Sequence, residues 1–304
     1  MSIKILSSKP VVSTNIVLNT VNEMPIIGLG TYRVKGDGQI NNVLEAAFEA
    51  GYRAIDTAQA YGNEESIGKA LKVLLPKFNL KRADIFITSK LGPQHNGNSE
   101  AVQSLVTNTL KDLGTNYLDL FLIHWPGTFG LANSSPEQAV NRHKLWRALI
   151  ALYDPKNGPL KAIGVSNYTA NHLTDLIQNV PEVIPAVNQV EFSPHWLQPH
   201  ELISVCSQHK IALQAYASLG STSDNPLVKD TTLAEIAKKH GVSPVQVLLR
   251  WGLQKNFLII PKSVTPARIA QNIALDFQLS KEEEKAIDDI PNKQKYCWNP
   301  EEIA

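Results

Sequence analysis

The strongest constraint on this chain is a repeated alternation. From Met24 onward, eight short apolar runs are each followed by a stretch with helical spacing. The runs are Met24–Thr31, Arg53–Asp56, Asp84–Lys90, Leu118–His124, Leu160–Val165, Ala186–Glu191, Ile211–Tyr216 and Phe257–Ile260. Between and after them, helices are predicted at Asn41–Ala50, Glu64–Leu75, Ser99–Leu113, Ser135–Tyr153, Ala170–Asn179, Pro199–His209, Thr231–His240 with Pro244–Leu253, and Pro266–Leu275. Gly51 and Gly114 stand where helices should stop, and Pro136 stands in a first helical turn. Strands apolar along their length need cover on both faces, as in a parallel sheet. No Ser- or Gly-rich linker divides the chain, and no repeat of about 20–50 residues appears. Eight undivided βα units predict an α/β fold, a (β/α)8 TIM barrel; a doubly wound sheet is the runner-up. Ahead of the barrel, Ile3–Leu6 and Ile16–Leu18 predict a β-hairpin cap, and Gly36-Asp37-Gly38 a turn. The reading is one domain over residues 1–304, with a barrel core at 24–279 and a tail at 280–304.

Composition narrows the class. A chain of 304 residues that is 43% hydrophobic and 19% charged can bury a core without metal or disulfide staples. Its net charge of +1 argues against a nucleic-acid or membrane partner. Two cysteines, Cys206 and Cys297, form no CxxC pair and no disulfide framework, as expected of a reducing cytoplasm. The N-terminus lacks the apolar region of a signal peptide, and no run of about 18 apolar residues exists. These features predict a cytoplasmic monomer acting on a small molecule. The eight histidines show no metal-ligand spacing, so no metal is expected. Gly28-Leu29-Gly30 is no dinucleotide fingerprint, because Arg33 takes the third glycine position. Ser66 to Lys69 matches SxxK but lies in a predicted surface helix without its partner motifs.

A barrel directs catalytic groups to the C-terminal ends of its strands. Asp56 ends the second run, Tyr61 follows in the next loop, Lys90 ends the third run and His124 the fourth. Taken singly, these are a loop acid, a surface phenol, a solvated lysine and a core histidine; on consecutive strand ends they share one rim. A phenol with a pKa near ~10 is a poor acid at neutral pH. A nearby ammonium favours the phenolate and should lower that pKa, and a carboxylate would hold the ammonium in place. A histidine can hydrogen-bond a carbonyl oxygen. The set makes an acid able to protonate an oxygen as charge develops on it. Reduction would need a borrowed hydride.

At these residues the chain resembles the aldo-keto reductase family. Gly51–Glu64 (GYRAIDTAQAYGNE), Thr88–Leu91 (TSKL), Leu118–Pro126 (LDLFLIHWP), Ile163–Tyr168 (IGVSNY), Val187–Glu191 (VNQVE) and Ile260–Arg268 (IPKSVTPAR) follow that family's order from about Met24 to about Leu279. The resemblance implies a catalytic tetrad of Asp56, Tyr61, Lys90 and His124, with Tyr61 as proton donor. It implies that Ser166, Asn167 and Gln189 bind the nicotinamide carboxamide, that Tyr216 stacks on the ring, and that Thr31 touches the cofactor. It places Ser218, Leu219 and Ser221 along the pyrophosphate. Lys262, Ser263, Thr265 and Arg268 would hold a 2′-phosphate, with Gln271 and Asn272 near the adenine. Two cations and two hydroxyls at a helix start suit a phosphate on chemical grounds also, so NADPH is the expected cofactor.

Tyr32, Trp125, Phe129 and Trp298 are candidate walls of a substrate pocket. Tyr32 and Trp125 stand at strand ends; for Phe129, Trp298 and also Trp196, packing is an equal alternative. Cys297 reads equally as a pocket thiol or an inert tail thiol. Tyr32 stands where many members of the family carry tryptophan, Leu91-Gly92-Pro93 lacks an aromatic, and Phe192–Leu197 (FSPHWL) and the short tail differ from common patterns. The expected activity is NADPH-dependent reduction of aldehydes and ketones. The alternatives are an NAD(P)-linked alcohol or steroid dehydrogenase working oxidatively, and a nucleotide-binding regulatory subunit with little turnover.

Overall fold

Eight of the apolar runs do pair, in chain order, as one parallel sheet. The computed structural model describes residues 10–94, 97–220, 226–291 and 294–304. The sheet strands are β3 (Leu29–Gly30), β4 (Ala54–Asp56), β5 (Phe86–Leu91), β6 (Leu120–Ile123), β7 (Ile163–Ser166), β8 (Val187–Glu191), β9 (Ala212–Tyr216) and β10 (Leu258–Ile259). The sheet closes on itself beside β3. Ile27 bridges Ile259 in parallel, Gly28 N donates to Ile259 O at 2.9 Å, and Gly30 N donates to Pro261 O at 3.1 Å. Closure removes both sheet edges, which would otherwise present unpaired backbone. The architecture is the predicted (β/α)8 barrel.

A two-stranded antiparallel hairpin, β1 (Asn15–Val17) and β2 (Glu23–Pro25), precedes the barrel, with Ile16 opposite Met24 and both buried. The expected first strand, Met24–Thr31, is therefore divided. Its first residues serve the hairpin, because Pro25 has no N–H to give a central ladder. The predicted run Ile3–Leu6 lies outside the described residues.

The helices around the barrel are α1 (Asp37–Ala50), α2 (Glu64–Lys77), α3 (Ser99–Leu113), α4 (Glu137–Ile150), α5 (Ala170–Asn179), α6 (His200–Gln208), α7 (Thr231–His240), α8 (Pro244–Gln254), α9 (Pro266–Ile273) and α10 (Lys281–Asp288). Their ends follow local chemistry. Gly51 and Gly114 close α1 and α3 in the left-handed conformation, at φ 99° and 63°. Thr169 and Ser243 cap α5 and α8 through reciprocal capping boxes. Gly36-Asp37-Gly38 is a helix entry rather than a free turn, so α1 starts four residues before the predicted Asn41. Pro136 is the cap of α4 rather than its first helical residue. The tail contains a helix that the pattern did not predict. Ser280 and Glu283 form a capping box at the start of α10, which docks on α8 through Trp251 Nε1 to Asp288 Oδ1 at 2.9 Å and Gln254 Nε2 to Glu284 Oε1 at 2.7 Å.

The core fills the barrel and the layer between sheet and helices. Beneath β8 and β10 it contains a stack in which the Phe192 ring lies 3.8 Å from Phe257 and 4.7 Å from Trp251, nearly parallel to both. Among the described residues no helix is long and apolar enough to cross a membrane.

Closure depends on a side chain being absent. A Cβ on Gly30 would stand 2.8 Å from the Ile260 carbonyl oxygen, which is backbone and cannot swing away. Gly30→Ala should therefore cost about 1–3 kcal/mol, the usual range for overpacking a tight site. A urea titration of the variant beside the parent chain measures the loss; an unchanged midpoint would contradict this account of the closure.

Candidate active site

The parallel register sets the rim. Asp56 is the last residue of β4 and pairs with Thr88; Lys90 lies two residues further along β5, opposite Leu122 of β6. Both side chains point into the barrel mouth and are buried. Lys90 Nζ donates to Asp56 Oδ1 at 2.6 Å, to Thr57 O at 2.8 Å and to the Tyr61 hydroxyl at 3.4 Å. The second carboxylate oxygen of Asp56 accepts from Gln189 Nε2 at 2.7 Å, and that amide also donates to Gln214 Oε1 at 2.7 Å. An ion pair removed from water is sustained only when its remaining hydrogen bonds are satisfied, as these are. Burial works against the Lys90 charge. The Asp56 carboxylate and the Tyr61 oxygen outweigh it and raise the ammonium's pKa.

Tyr61 lies in a single 3₁₀ turn, Gln59–Tyr61, closed by Gly62 in the left-handed region. The loop is held by Asn63, which sequence reasoning passed over. Asn63 Nδ2 donates to Thr31 O and Val34 O at 3.0 and 3.1 Å, and its Oδ1 accepts from Thr57 Oγ1 at 2.7 Å. The Tyr61 ring meets His124 edge-on at 5.8 Å between centroids and Tyr32 at 5.1 Å. The expected lowering of the phenol's pKa does not survive as a net effect. Burial pushes Tyr61 up; the Lys90 charge opposes this and Asp56 adds to it, and the balance stays above the ordinary phenol value. Desolvation of a phenolate outweighs one ammonium at this distance. The phenol thus keeps its proton at neutral pH, the state a donor needs. Burial, with the Lys90 charge, pulls His124 down to about 3, so its imidazole is neutral. The rim holds one cation, one carboxylate, a neutral phenol and a neutral imidazole.

Three of the four predicted pocket walls gather on the outer side. The Trp125 and Trp298 rings meet edge-on at 5.7 Å, and Phe129 lies 6.3 Å from Trp298. Tyr32, the fourth, stands over Tyr61 instead. Trp196 lies under the Lys295 ammonium at 5.0 Å rather than with that cluster.

The residues expected to meet a nucleotide fall into two groups. Near the tetrad, Asn167 adopts φ 65°, and its Nδ2 donates to His124 O at 3.0 Å and to Ser166 Oγ at 3.1 Å. Ser166 Oγ donates to Gln189 O at 2.8 Å, and the Tyr216 hydroxyl donates to Asn167 Oδ1 at 2.6 Å, fixing the tyrosine ring at the end of β9. Thr31 is fully buried, with its hydroxyl given to Asp56 O at 2.9 Å. The Gln189 amide nitrogen is committed to Asp56 and Gln214. Ser218 and Leu219 follow β9, half-buried; Ser221 lies outside the described residues. The second group surrounds the start of α9. Lys262, Thr265, Arg268 and Gln271 are exposed, Ser263 and Asn272 buried. Thr265 makes no side-chain cap, and Ser263 Oγ accepts from Thr265 N at 3.1 Å. Among the described residues Lys262 and Arg268 have no acidic partner. Two unneutralised cations beside an uncapped helix start fit a phosphate group.

Sequence reasoning also missed Gln214, whose signal was a glutamine inside the apolar run Ile211–Tyr216. Cys297 is exposed as a residue, yet partial desolvation of its thiol, with the nearby Glu191 carboxylate, pushes that thiol up to about 11. Among the described residues no cluster of metal-ligating side chains exists.

Closed parallel barrel and convergent rim together define a (β/α)8 protein with a phenol beside a buried ion pair at its C-terminal face. The chain belongs to the aldo/keto reductase family, whose model matches residues 26–292. It is 39% identical over 303 residues to the rat protein "Aldo-keto reductase family 1 member A1", covering 93% of this chain and 91% of that one. It is 35% identical over 287 residues to the Trypanosoma cruzi 9,11-endoperoxide prostaglandin H2 reductase, covering 94% of each. Among solved structures, an aldo-keto reductase from a deep-sea metagenome library superposes with a TM-score of 0.82 at 40% identity, covering 93% of this chain and 97% of that one. A Bombyx mori aldo-keto reductase in complex with NADP superposes with a TM-score of 0.82 at 32% identity, covering 93% and 94%.

Buried histidines set an acid sensitivity. Burial lowers His172 to about 4; its Nε2 lies 2.9 Å from Ile303 O. With a reference value near ~6.5, the unfolded chain takes up the proton first as pH falls. Stability is therefore fully present above about pH 6.5 and declines as pH falls toward 4. His172→Gln, which keeps a donor for Ile303, should remove about 3 kcal/mol of the parent's loss between pH 7 and pH 4. Denaturant titrations of both chains across that range measure the difference.

Proposed function

We propose that the protein is an NADPH-dependent reductase of aldehydes and ketones in which Tyr61 delivers the proton. The observation that carries this reading is the Lys90–Asp56 pair, closed at 2.6 Å, with the Tyr61 oxygen 3.4 Å from the same ammonium. Bound NADPH supplies the hydride. Tyr61 gives its proton to the carbonyl oxygen as negative charge develops there. The neutral His124 can donate a hydrogen bond to that oxygen and hold it beside Tyr61. Lys90 lies where it stabilises the phenolate left behind, and Asp56 with Thr57 keeps the ammonium charged and in place. Asn167, Ser166 and Tyr216 would hold the nicotinamide end; Lys262, Ser263, Thr265 and Arg268 would hold the 2′-phosphate, with Gln271 and Asn272 at the adenine. Tyr32, Trp125, Phe129 and Trp298 offer an apolar approach suited to hydrophobic carbonyl compounds. The low net charge and the two free cysteines support a cytoplasmic, single-domain monomer.

A phenol acting as general acid contributes about 10²–10⁴-fold. Tyr61→Phe should lower aldehyde turnover by about that factor while NADPH still binds, as followed by NADPH absorbance and by quenching of protein fluorescence. Turnover equal to the parent's would refute the assigned donor. Charge-assisted hydrogen bonds contribute about 1.5–3 kcal/mol, so Lys262→Ala and Arg268→Ala should each weaken NADPH at least about tenfold and leave NADH nearly unchanged. Equal losses for the two nucleotides would contradict the phosphate assignment.

A further inference from the structure

The end of β8 carries a second buried carboxylate that the proposed reaction does not use. Glu191 is fully buried, and its carboxylate meets one run of the C-terminal tail. Lys295 Nζ donates to Oε2 at 2.7 Å, Tyr296 N to Oε1 at 2.6 Å, and Cys297 N to Oε2 at 3.1 Å. Neighbouring contacts point the same way. Gln294 N donates to His195 O at 3.0 Å, His195 Nδ1 lies 2.5 Å from the Tyr296 hydroxyl, and the Lys295 ammonium lies over Trp196 at 5.0 Å. The far end of the tail is tied separately, by His172 Nε2 at Ile303 O and by Ala304 N donating to Asn133 O at 2.8 Å. Between the ties, Trp298 is 66% exposed yet lies across Trp125 and Phe129. Burial alone does not hold a side chain so open to water; the ties on either side do.

We propose that Glu191 is the positioning residue for the pocket roof: it seats residues 295–297 so that Trp298 lies against Trp125 and Phe129, and thereby governs the binding of bulky carbonyl substrates. If the tail lifted, the Glu191 carboxylate would surrender three charge-assisted bonds at once. The roof therefore stays down by default. Small carbonyl compounds that reach Tyr61 without touching the roof do not depend on it; aromatic ones do. The inference rests on the carbonyl-reduction reading of the rim.

Glu191→Gln keeps the side chain's shape and leaves the bond from Gln198 Nε2 to the Glu191 carbonyl untouched. It replaces one acceptor oxygen by a donor and removes the charge. Its steady-state constants are compared with propanal and with 2-naphthaldehyde as substrates. The variant is expected to raise KM for 2-naphthaldehyde at least fivefold with kcat within twofold, and to leave both constants for propanal within twofold. Trp298→Ala should raise the same KM, and the double variant should raise it no further than the larger single effect. Acrylamide quenching of the Trp298 fluorescence, obtained by difference from Trp298→Ala, should increase in Glu191→Gln. Lys295→Met leaves Glu191 with its two backbone donors and should produce a smaller change in the same direction, which keeps the test open if Glu191→Gln folds poorly. Equal effects on both aldehydes, no effect on either, multiplicative single effects or unchanged quenching would each overturn the proposal. A parent chain that reduces neither aldehyde would overturn the reductase reading instead, and the quenching measurement would then decide the clamp alone.

Discussion

The buried pair of Lys90 and Asp56 is the constraint around which the rim is arranged. An ammonium in the mouth of a barrel has three protons to place. Lys90 gives one to Asp56 at 2.6 Å and one to the Thr57 carbonyl at 2.8 Å, both within ordinary hydrogen-bond range. Its third reaches the Tyr61 oxygen at 3.4 Å, longer than the ground state of a neutral phenol would favour. That unequal allocation has a chemical consequence. The two short bonds hold the ammonium, and the long one gains strength only as the phenol becomes a phenolate, when the acceptor acquires charge. Gln189, placed on Asp56 Oδ2 from across the barrel, prevents the carboxylate from turning away. The ammonium thus offsets part of the cost that burial places on the phenolate, without reversing it.

The same arithmetic shows why the phenol's resting pKa could not be obtained from residue identities. Tyr61, Lys90 and Asp56 were recognisable as neighbours because each terminates or follows an apolar run. Their net effect on one another depends on how much water each loses, and spacing along the chain does not measure that. The ammonium does oppose the upward shift of Tyr61, as expected, but burial is the larger cause. A raised phenol is still consistent with a donor role, since a group must hold a proton in order to give it.

The fold was legible to the extent that local chemistry sets it. α5 and α7 span the predicted residues, because Thr169 and Asp230 stop the chain turning earlier and Gly241 ends α7 in a left-handed residue. The misreadings share a cause. Met24–Thr31 looked like one strand because its apolar content is continuous; its first residues pair instead with the hairpin strand Asn15–Val17, where Pro25 needs no central-ladder N–H. α10 has no apolar stripe to betray it, since what it buries includes Glu283 and Glu284, and its one local signal was the Ser280–Glu283 spacing. In the site, Asn63 and Gln214 escaped notice because their importance lies in partners 29 to 32 and 25 residues away, respectively. Tertiary partners of polar residues leave no periodicity.

Glu191 extends that point to the substrate side. It and Asp56 are both acids at the ends of barrel strands, both buried and both fully hydrogen-bonded, yet their partners differ in kind. Asp56 is answered by a lysine 34 residues away on the adjacent strand, inside the closed sheet. Glu191 is answered by two backbone amides and a lysine 104 to 106 residues away, on a tail that crosses the mouth from outside. The backbones of the two strands are fixed by the closed sheet, so they hold the Lys90 and Asp56 side chains within reach of each other. A bond to the tail can break while the barrel stays whole. The proton donor's ties thus lie within the barrel and the proposed roof's ties lie on the tail, so the two rest on different parts of the chain.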